Sequence, residues 1–163
     1  MEIELTDKER LFLANQYEIL GTLKDDDVLL RLSDQLRNGH KWLYDQTFES
    51  LYPNLEGEQA DLVVDILDLY DTIHHSYERL IDKSGISQQD TRFGGFDGNS
   101  EYQLIGFVDA LKKDDRFVDI IEQGIRNSHS RKAHIYEMMI ERWKALGQPY
   151  ELSKEQIIEI LGK

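Results

Sequence analysis

A loop rich in glycine and aromatic residues carries the most suggestive chemistry in this sequence. It reads SQQDTRFGGFDGN over residues 87–99, which is longer than helix-to-helix connections usually are. Aromatic anchors, flexible backbone and two carboxylates come together in Phe93, Gly95, Phe96, Asp97 and Glu101. Two carboxylates on such a loop are compatible with ligand binding or a metal-assisted hydrolase, although the spacing fixes no third ligand. The alternative is structural: the phenylalanines fill the core and Asp97 caps the following helix.

A basic segment interrupts an otherwise acidic chain. No acidic residue occurs between Gln123 and Tyr136, where the cationic side chains are Arg126, His129, Arg131, Lys132 and His134. Arg131 and Lys132 fall in the predicted first turn of a helix, where the dipole disfavours cations and a nearby anion would be stabilising. That anion is either a small one, such as phosphate or a metabolite, or the acidic face of a second copy. The remaining interpretation is an ordinary solvated patch.

Three residues of the predicted long helix have the spacing of half a metal site. Asp71, His74 and Glu78 are three and four residues apart, so they can approach one another along one helix. An HExxH motif or a second helix with such ligands is absent from the sequence. His74 also falls within an apolar stripe, which favours a hydrogen-bonded core histidine. We therefore predict no metal and no cofactor.

Other catalytic classes find little support. The chain has no cysteine, which excludes disulfides, thiolate zinc sites and cysteine nucleophiles. Its serines include no GxSxG motif. No catalytic residue is assigned, and the sequence favours a protein that is not an enzyme.

The element that must position these residues is a long helix predicted over Glu58–Lys83. Val63, Tyr70 and Tyr77 recur every seven residues, with two further apolar rows beside them. We expect Asn54 to cap this helix, and Gly85 to end it so that Ile86 folds back onto Ile81. Leu62 and Leu69 widen the apolar face beyond what one packed neighbour usually covers, which favours self-association through this helix or the terminal hairpin.

The flanking elements are also helical. Residues 1–38 predict an antiparallel hairpin, whose first helix opens with a Thr6 and Glu9 capping box and runs to about Leu20. Its expected stripe is Leu13, Tyr17 and Leu20 with Phe12 and Leu23, and Val28, Leu29, Leu32 and Leu36 are expected to be buried on the second helix. The other predicted helices are His40–Leu51 (ended by Pro53 and Asn54), Glu101–Lys112, Asp114–Gln123, Ser130–Leu146 and a short terminal helix opened by Ser153 and Gln156. Asp114–Gln123 also fits a short strand.

Length and composition limit the number of domains, the location and the partners of this protein. With 163 residues and 40% hydrophobic content, the chain can bury one core, so we expect a single domain over 1–163 with a hairpin subdomain at about 1–50. The N-terminus lacks the order of a signal peptide and no apolar run is long enough for a membrane span, which favours a cytoplasmic location. A net charge of −13 disfavours nucleic acid and anionic membranes as partners.

Four stretches together indicate a family. They are LTDKERLFLANQYEIL at the start, VVDILDLYDTIHHSYERL in the long helix, the FxGFDxxxE pattern from Phe93 to Glu101, and YELSKEQIIEIL near the end. In these the chain resembles the YfbU family of small bacterial helical proteins over nearly its full length. The resemblance implies an all-α fold, a cytosolic location and a homo-oligomer, and it implies no particular reaction.

Taken together, the sequence predicts a compact all-α multi-helix domain around one long central helix, with an N-terminal helical hairpin. The predicted function is that of a self-associating interaction or regulatory protein. Two alternatives remain open: a metal-assisted hydrolase or ligand-binding protein using the Phe93–Glu101 loop, and small-anion binding at Arg126–His134.

Overall fold

A computed structural model describes residues 4–49, 51 and 54–163, and this part of the chain is all-α, as predicted. Its helices are α1 (Asp7–Lys24), α2 (Asp27–Arg37), α3 (Lys41–Phe48), α4 (Gly57–Arg79), a 3₁₀ turn (Gln88–Thr91), α5 (Tyr102–Lys113), α6 (Val118–Gln123), α7 (Ala133–Ala145) and α8 (Lys154–Leu161). The chain divides into two compact units, Met1–Asn54 and Leu55–Lys163, called here the N-terminal and C-terminal units. Folding as a single domain stays a prediction.

The N-terminal unit is built on the antiparallel pair α1 and α2. The predicted capping box of Thr6 and Glu9 opens α1, and Asp26 caps α2 by accepting from the N–H groups of Val28 and Leu29. The prediction that α1 ends near Leu20 was wrong by four residues. Gly21 lies inside the helix, where a Cβ would stand 2.8 Å from side-chain atoms of Leu30 on α2. The glycine is thus needed for the close approach of two helices.

The predicted apolar stripe of α1 was only partly right. The buried core of this unit consists of Ala14, Leu32, Leu36, Tyr44 and Phe48, with Leu5, Leu13 and Tyr17 packed against it. Phe12, Leu20, Leu23 and, on α2, Val28 are exposed instead. The buried face of α1 is its small-residue face, because Ala14 and Gly21 let α2 approach closely. The predicted helix terminator Pro53 lies outside the described residues.

The C-terminal unit is organised around α4. Nine residues of α4 are buried, and α5, α6, α7, α8 and the 3₁₀ turn all contact it. This explains the wide apolar face at Leu62 and Leu69 without a second copy: several neighbours in the same unit share it. The long-helix route to self-association is therefore not supported.

The long helix begins one residue before the predicted Glu58, but its predicted cap and its predicted end were wrong. Glu56, not Asn54, precedes the first turn, and the helix stops at Arg79 because Leu80 is extended, with φ −65° and ψ 132°. Gly85 has a left-handed φ of +86°, but it lies in the turn beyond. Ile81 is fully exposed, so it does not pack against the buried Ile86.

The structure shows which secondary structure forms in the stretch that the sequence left ambiguous. Residues 118–123 are helical, so the strand alternative for Asp114–Gln123 was wrong, and α6 follows a left-handed Phe117. The terminal capping box of Ser153 and Gln156 is confirmed. Across the described residues, none of the helices combines the length and apolar content needed to cross a bilayer.

Candidate functional site

The two phenylalanines of the Phe93–Glu101 loop form the centre of an aromatic cluster. Phe93 and Phe96 are buried, and their ring centroids lie 5.5 Å apart in an edge-to-face arrangement. Tyr70 of α4 and Tyr136 of α7 complete the cluster, with Tyr136 5.6 Å from Phe96 and donating a hydrogen bond to the Gly95 carbonyl at 2.9 Å. Burial raises the pKa of Tyr70 to about 12. The rings therefore hold the loop between α4 and α7.

Gly95 permits a backbone contact that no other residue allows. Its φ is +72°, and a Cβ there would stand 2.1 Å from the carbonyl oxygen of Ile125. A parallel bridge between Phe96 and Asn127 joins this loop to the segment after α6. Two hydrogen bonds accompany the bridge: Ile125 N–H donates to Phe93 O at 2.8 Å, and Ser128 N–H donates to Phe96 O at 2.9 Å. The glycine is used here for close packing of backbone.

Asp97 stabilises the turn that leads into α5. Its carboxylate accepts from the N–H of Ser100 at 3.1 Å and from the Ser100 hydroxyl at 2.6 Å, while its carbonyl accepts from the N–H of Glu101. The Ser100 hydroxyl lowers the pKa of Asp97, and Arg131 contributes to the same shift. Asp97 is buried, and its carboxylate is ionised because these hydrogen bonds outweigh the cost of burying the charge.

Glu101 reaches across to the start of α7. Its carboxylate accepts from the N–H groups of Lys132 and Ala133 at 3.0–3.1 Å, and also from the N–H of Asp97 at 2.8 Å. Free N–H groups at a helix start favour an anion. The sequence predicted an anion at this position but did not identify Glu101 as one. The signal available was a carboxylate at the end of a loop facing an uncapped helix.

The four candidate anion-binding residues do not converge on one point. Arg126 is held by Asp109 of α5, with its Nη2 2.6 Å from a carboxylate oxygen, whereas Arg131 donates to the Ser100 hydroxyl at 3.1 Å. His129 is exposed with a left-handed φ of 53°, and Lys132 precedes α7. Since α7 begins at Ala133, neither Arg131 nor Lys132 lies in its first turn, and that prediction was wrong.

The weak metal candidates are also separated. Asp71 and Glu78 are exposed, whereas His74 is half-buried. The nearest ionic contact of Asp71 is with His75, at 4.0 Å, and Glu78 lies 3.7 Å from Lys83. Among the described residues there is no group of three or more His, Cys, Asp or Glu placed to hold a metal ion.

A cleft next to the aromatic cluster is lined by residues of both the Phe93–Glu101 loop and the basic segment, which the sequence indicated as separate candidate sites. It has a volume of about 490 Å³ and contains Phe93 and Phe96 from the loop together with Arg126 from the basic segment. The rest of its lining is Ile105, Val108, Asp109, Lys112, Ile121, Glu122, Gly124 and Ile125. The α5 and α6 residues of this list were missed, because no motif in their sequence indicates that they line one space with the loop and the basic segment.

Fold and loop together define a small helical protein in which an FxGFDxxxE segment ties the central helix to α7. The chain belongs to the YfbU family: a family model described as the YfbU domain matches residues 3–162. The chain is also 31% identical over 162 residues to UPF0304 protein MJECS11 of Methanocaldococcus jannaschii, an alignment that covers 94% of this chain and 96% of that protein. The predicted resemblance is confirmed.

Proposed function

We propose that this protein is a self-associating interaction protein, and that two copies pair through the outer face of α1. Phe12, Ile19 and Leu23 are spaced by seven and four residues, so they form one line along the helix. Their exposed fractions are 64%, 54% and 78%. This row of large, solvent-exposed apolar side chains is the observation that carries the proposal.

The position of this row relative to the core strengthens the argument. At 100° per residue, Phe12, Ile19 and Leu23 point away from Ala14 and Gly21, which face α2. Helix α1 is thus apolar on two opposite faces, and a helix of this kind is normally covered on both. The packing of α2 and α3 accounts for only one of them.

A second copy fits this face because the face is nearly symmetrical about its midpoint. In an antiparallel pair centred between Asn15 and Gln16, Phe12 of one copy lies opposite Ile19 of the other. Such a two-fold arrangement makes the same contact twice. The same register places Asp7 of one copy opposite Lys24 of the other, and Leu23 opposite Lys8.

The competing predictions fit the contacts less well. Metal-assisted hydrolysis would need Asp97 and Glu101 to face a substrate, but both carboxylates accept hydrogen bonds from the chain itself. Small-anion binding by the whole Arg126–His134 segment would need the start of α7, where Glu101 already supplies the negative charge. Arg126 lies apart from that helix start, against Asp109 of α5.

The test is the oligomeric state of the full chain in solution. The wild-type protein should sediment as a dimer at micromolar concentrations, and Ile19→Glu should shift the midpoint of dimerisation by at least about a hundredfold, because it places a charge at the centre of the interface. Met138→Glu, which adds a charge to an exposed apolar position on α7, is the matched control and should leave the midpoint unchanged.

Cross-linking checks the geometry independently. The chain contains no cysteine, so Gln16→Cys introduces a single thiol beside the proposed two-fold axis. A short bis-maleimide should link two Gln16→Cys copies rapidly and two copies of an exposed control, Glu137→Cys, slowly. A monomeric wild type, or equal cross-linking of the two variants, would contradict the proposal. If the wild type is a monomer and Ile19→Glu destabilises it, another part of the same chain covers the outer face of α1.

A further inference from the structure

The cleft beside the aromatic cluster has an apolar interior and a charged mouth. Phe93 and Phe96 are almost completely buried at its base, and Ile105 and Val108 of α5 form one wall. Ile121 and Ile125 belong to the opposite wall, formed by α6 and the segment that follows it. A space of about 490 Å³ is within the range that encloses small organic molecules, on the order of twenty non-hydrogen atoms.

Two ion pairs connect the walls across the mouth of this cleft. Asp109 accepts from Arg126 through Nε at 3.1–3.2 Å and through Nη2 at 2.6 Å, and Lys112 lies 3.1 Å from Glu122. The Arg126 and Glu122 side chains are 68% and 57% exposed. Exposed pairs of this kind contribute only about 0–1 kcal/mol, so a ligand can replace one of them at little cost.

The charge around Asp109 favours an anionic ligand. The Arg126 guanidinium lowers the pKa of this carboxyl, and Lys113 and Lys112 lower it further. Three cations therefore act on Asp109, and Glu122, 3.1 Å from Lys112, is the second carboxylate at this mouth. The cations outnumber the carboxylates by one here, in a chain whose net charge is −13. A guanidinium binds a carboxylate through two parallel hydrogen bonds, which is the geometry that Asp109 already uses.

We propose that this cleft binds a small amphipathic carboxylate, whose acid group pairs with Arg126 in place of Asp109 and whose apolar body lies against Phe96 and Val108. The site is independent of the α1 face, so it goes beyond self-association. Asp109 acts as an internal competitor for the guanidinium. The α5 and α6 walls stay connected through Lys112 and Glu122 while the ligand is bound.

Decanoate is a suitable probe, because decanamide and decylamine have the same apolar body without the negative charge. Calorimetric titration of the full chain should detect decanoate binding and about three- to fivefold weaker binding of the other two. Arg126→Gln should weaken decanoate binding by about three- to fivefold. Arg131→Gln removes a cation outside the cleft and should leave the affinity unchanged.

The most discriminating variant is Asp109→Asn. It frees Arg126 and removes a like charge, so decanoate should bind several-fold more tightly, whereas a purely structural role for the ion pair predicts weaker binding. Circular dichroism on each variant confirms that the fold is kept. The proposal is overturned if decanoate does not bind, if decanamide binds equally well, or if Asp109→Asn weakens binding.

Discussion

The two units of this protein differ in how they use their apolar side chains. In the described residues, the C-terminal unit buries 22 hydrophobic residues in one cluster and exposes five large ones, whereas the N-terminal unit buries five and exposes nine. A shortage of core on this scale is typical of units that depend on a partner for stability. The contrast teaches that most of the buried core lies in the C-terminal unit, whereas the proposed association uses the N-terminal unit.

The largest difference in the free energy of unfolding should appear when one phenylalanine in each unit is replaced by alanine. Phe96→Ala empties a fully buried site in the C-terminal unit and should lower the free energy of unfolding by about 3–5 kcal/mol. Phe12→Ala removes an exposed ring, so it should change the stability of the monomer by no more than about 0.5 kcal/mol while weakening the dimer. Urea unfolding monitored by circular dichroism measures both. Similar losses of stability from the two would abolish the distinction.

A smaller effect should follow from Glu101→Gln. The substitution removes the charge that faces the N–H groups of Lys132 and Ala133, and we expect a loss of about 1–3 kcal/mol in the C-terminal unit. The dimerisation midpoint, measured by sedimentation, should not move. A change in that midpoint would show that the two units do not act independently.

Glycine substitutions on helices of the two units should act in opposite directions. Gly21→Ala places a methyl group 2.8 Å from Leu30, so we expect about 1 kcal/mol of destabilisation in the N-terminal unit. Gly106→Ala on α5 meets no atom within 4 Å and should stabilise the C-terminal unit by about 0.5–1 kcal/mol. Thermal unfolding curves provide the measurement, and a stabilising Gly21→Ala would contradict the close crossing of α1 and α2.

Acid should gradually lower the free energy of unfolding of the C-terminal unit more than that of the N-terminal unit. The pKa values of Asp97 and Asp109 are lowered in the folded state, so their stabilisation is present above the unfolded value of 3.8 and is lost as the pH falls through the folded values. In the N-terminal unit only Glu9, in a capping box, has a lowered pKa among the described residues. Asp97→Asn should flatten the dependence of unfolding free energy on pH between about pH 5 and pH 2. An unchanged slope would exclude Asp97 as a contributor.

Local sequence signals predicted much of the fold. The capping boxes at Thr6 and Ser153 and the seven-residue repeat of α4 depend on residues close in sequence, and each was confirmed. The end of α4 was predicted too late, because Ile81 continues the helical pattern although it is fully exposed. Periodicity alone does not reveal whether a partner covers an apolar residue.

The loop lies between two helices, as its sequence pattern predicted, but its contacts were not predictable. Glu101 reaches α7 and Gly95 packs on Ile125 only because distant segments meet, about 30 residues apart in each case. The same holds for the cleft, whose α5 and α6 walls carry no motif. The buried face of α1 was missed for a different reason: small residues such as Ala14 gave a weaker signal than the larger side chains on the opposite face.

The bridge between Phe96 and Asn127 also has a kinetic meaning. It closes a loop of about 30 residues, which costs roughly 3 kcal/mol of chain entropy before any contact within the loop forms. Both walls of the cleft lie inside that loop, so the cleft exists only after closure. A ligand held there would slow unfolding without accelerating folding, and the amide hydrogens of Phe96, Ile125 and Ser128 would exchange with solvent as one cooperative unit.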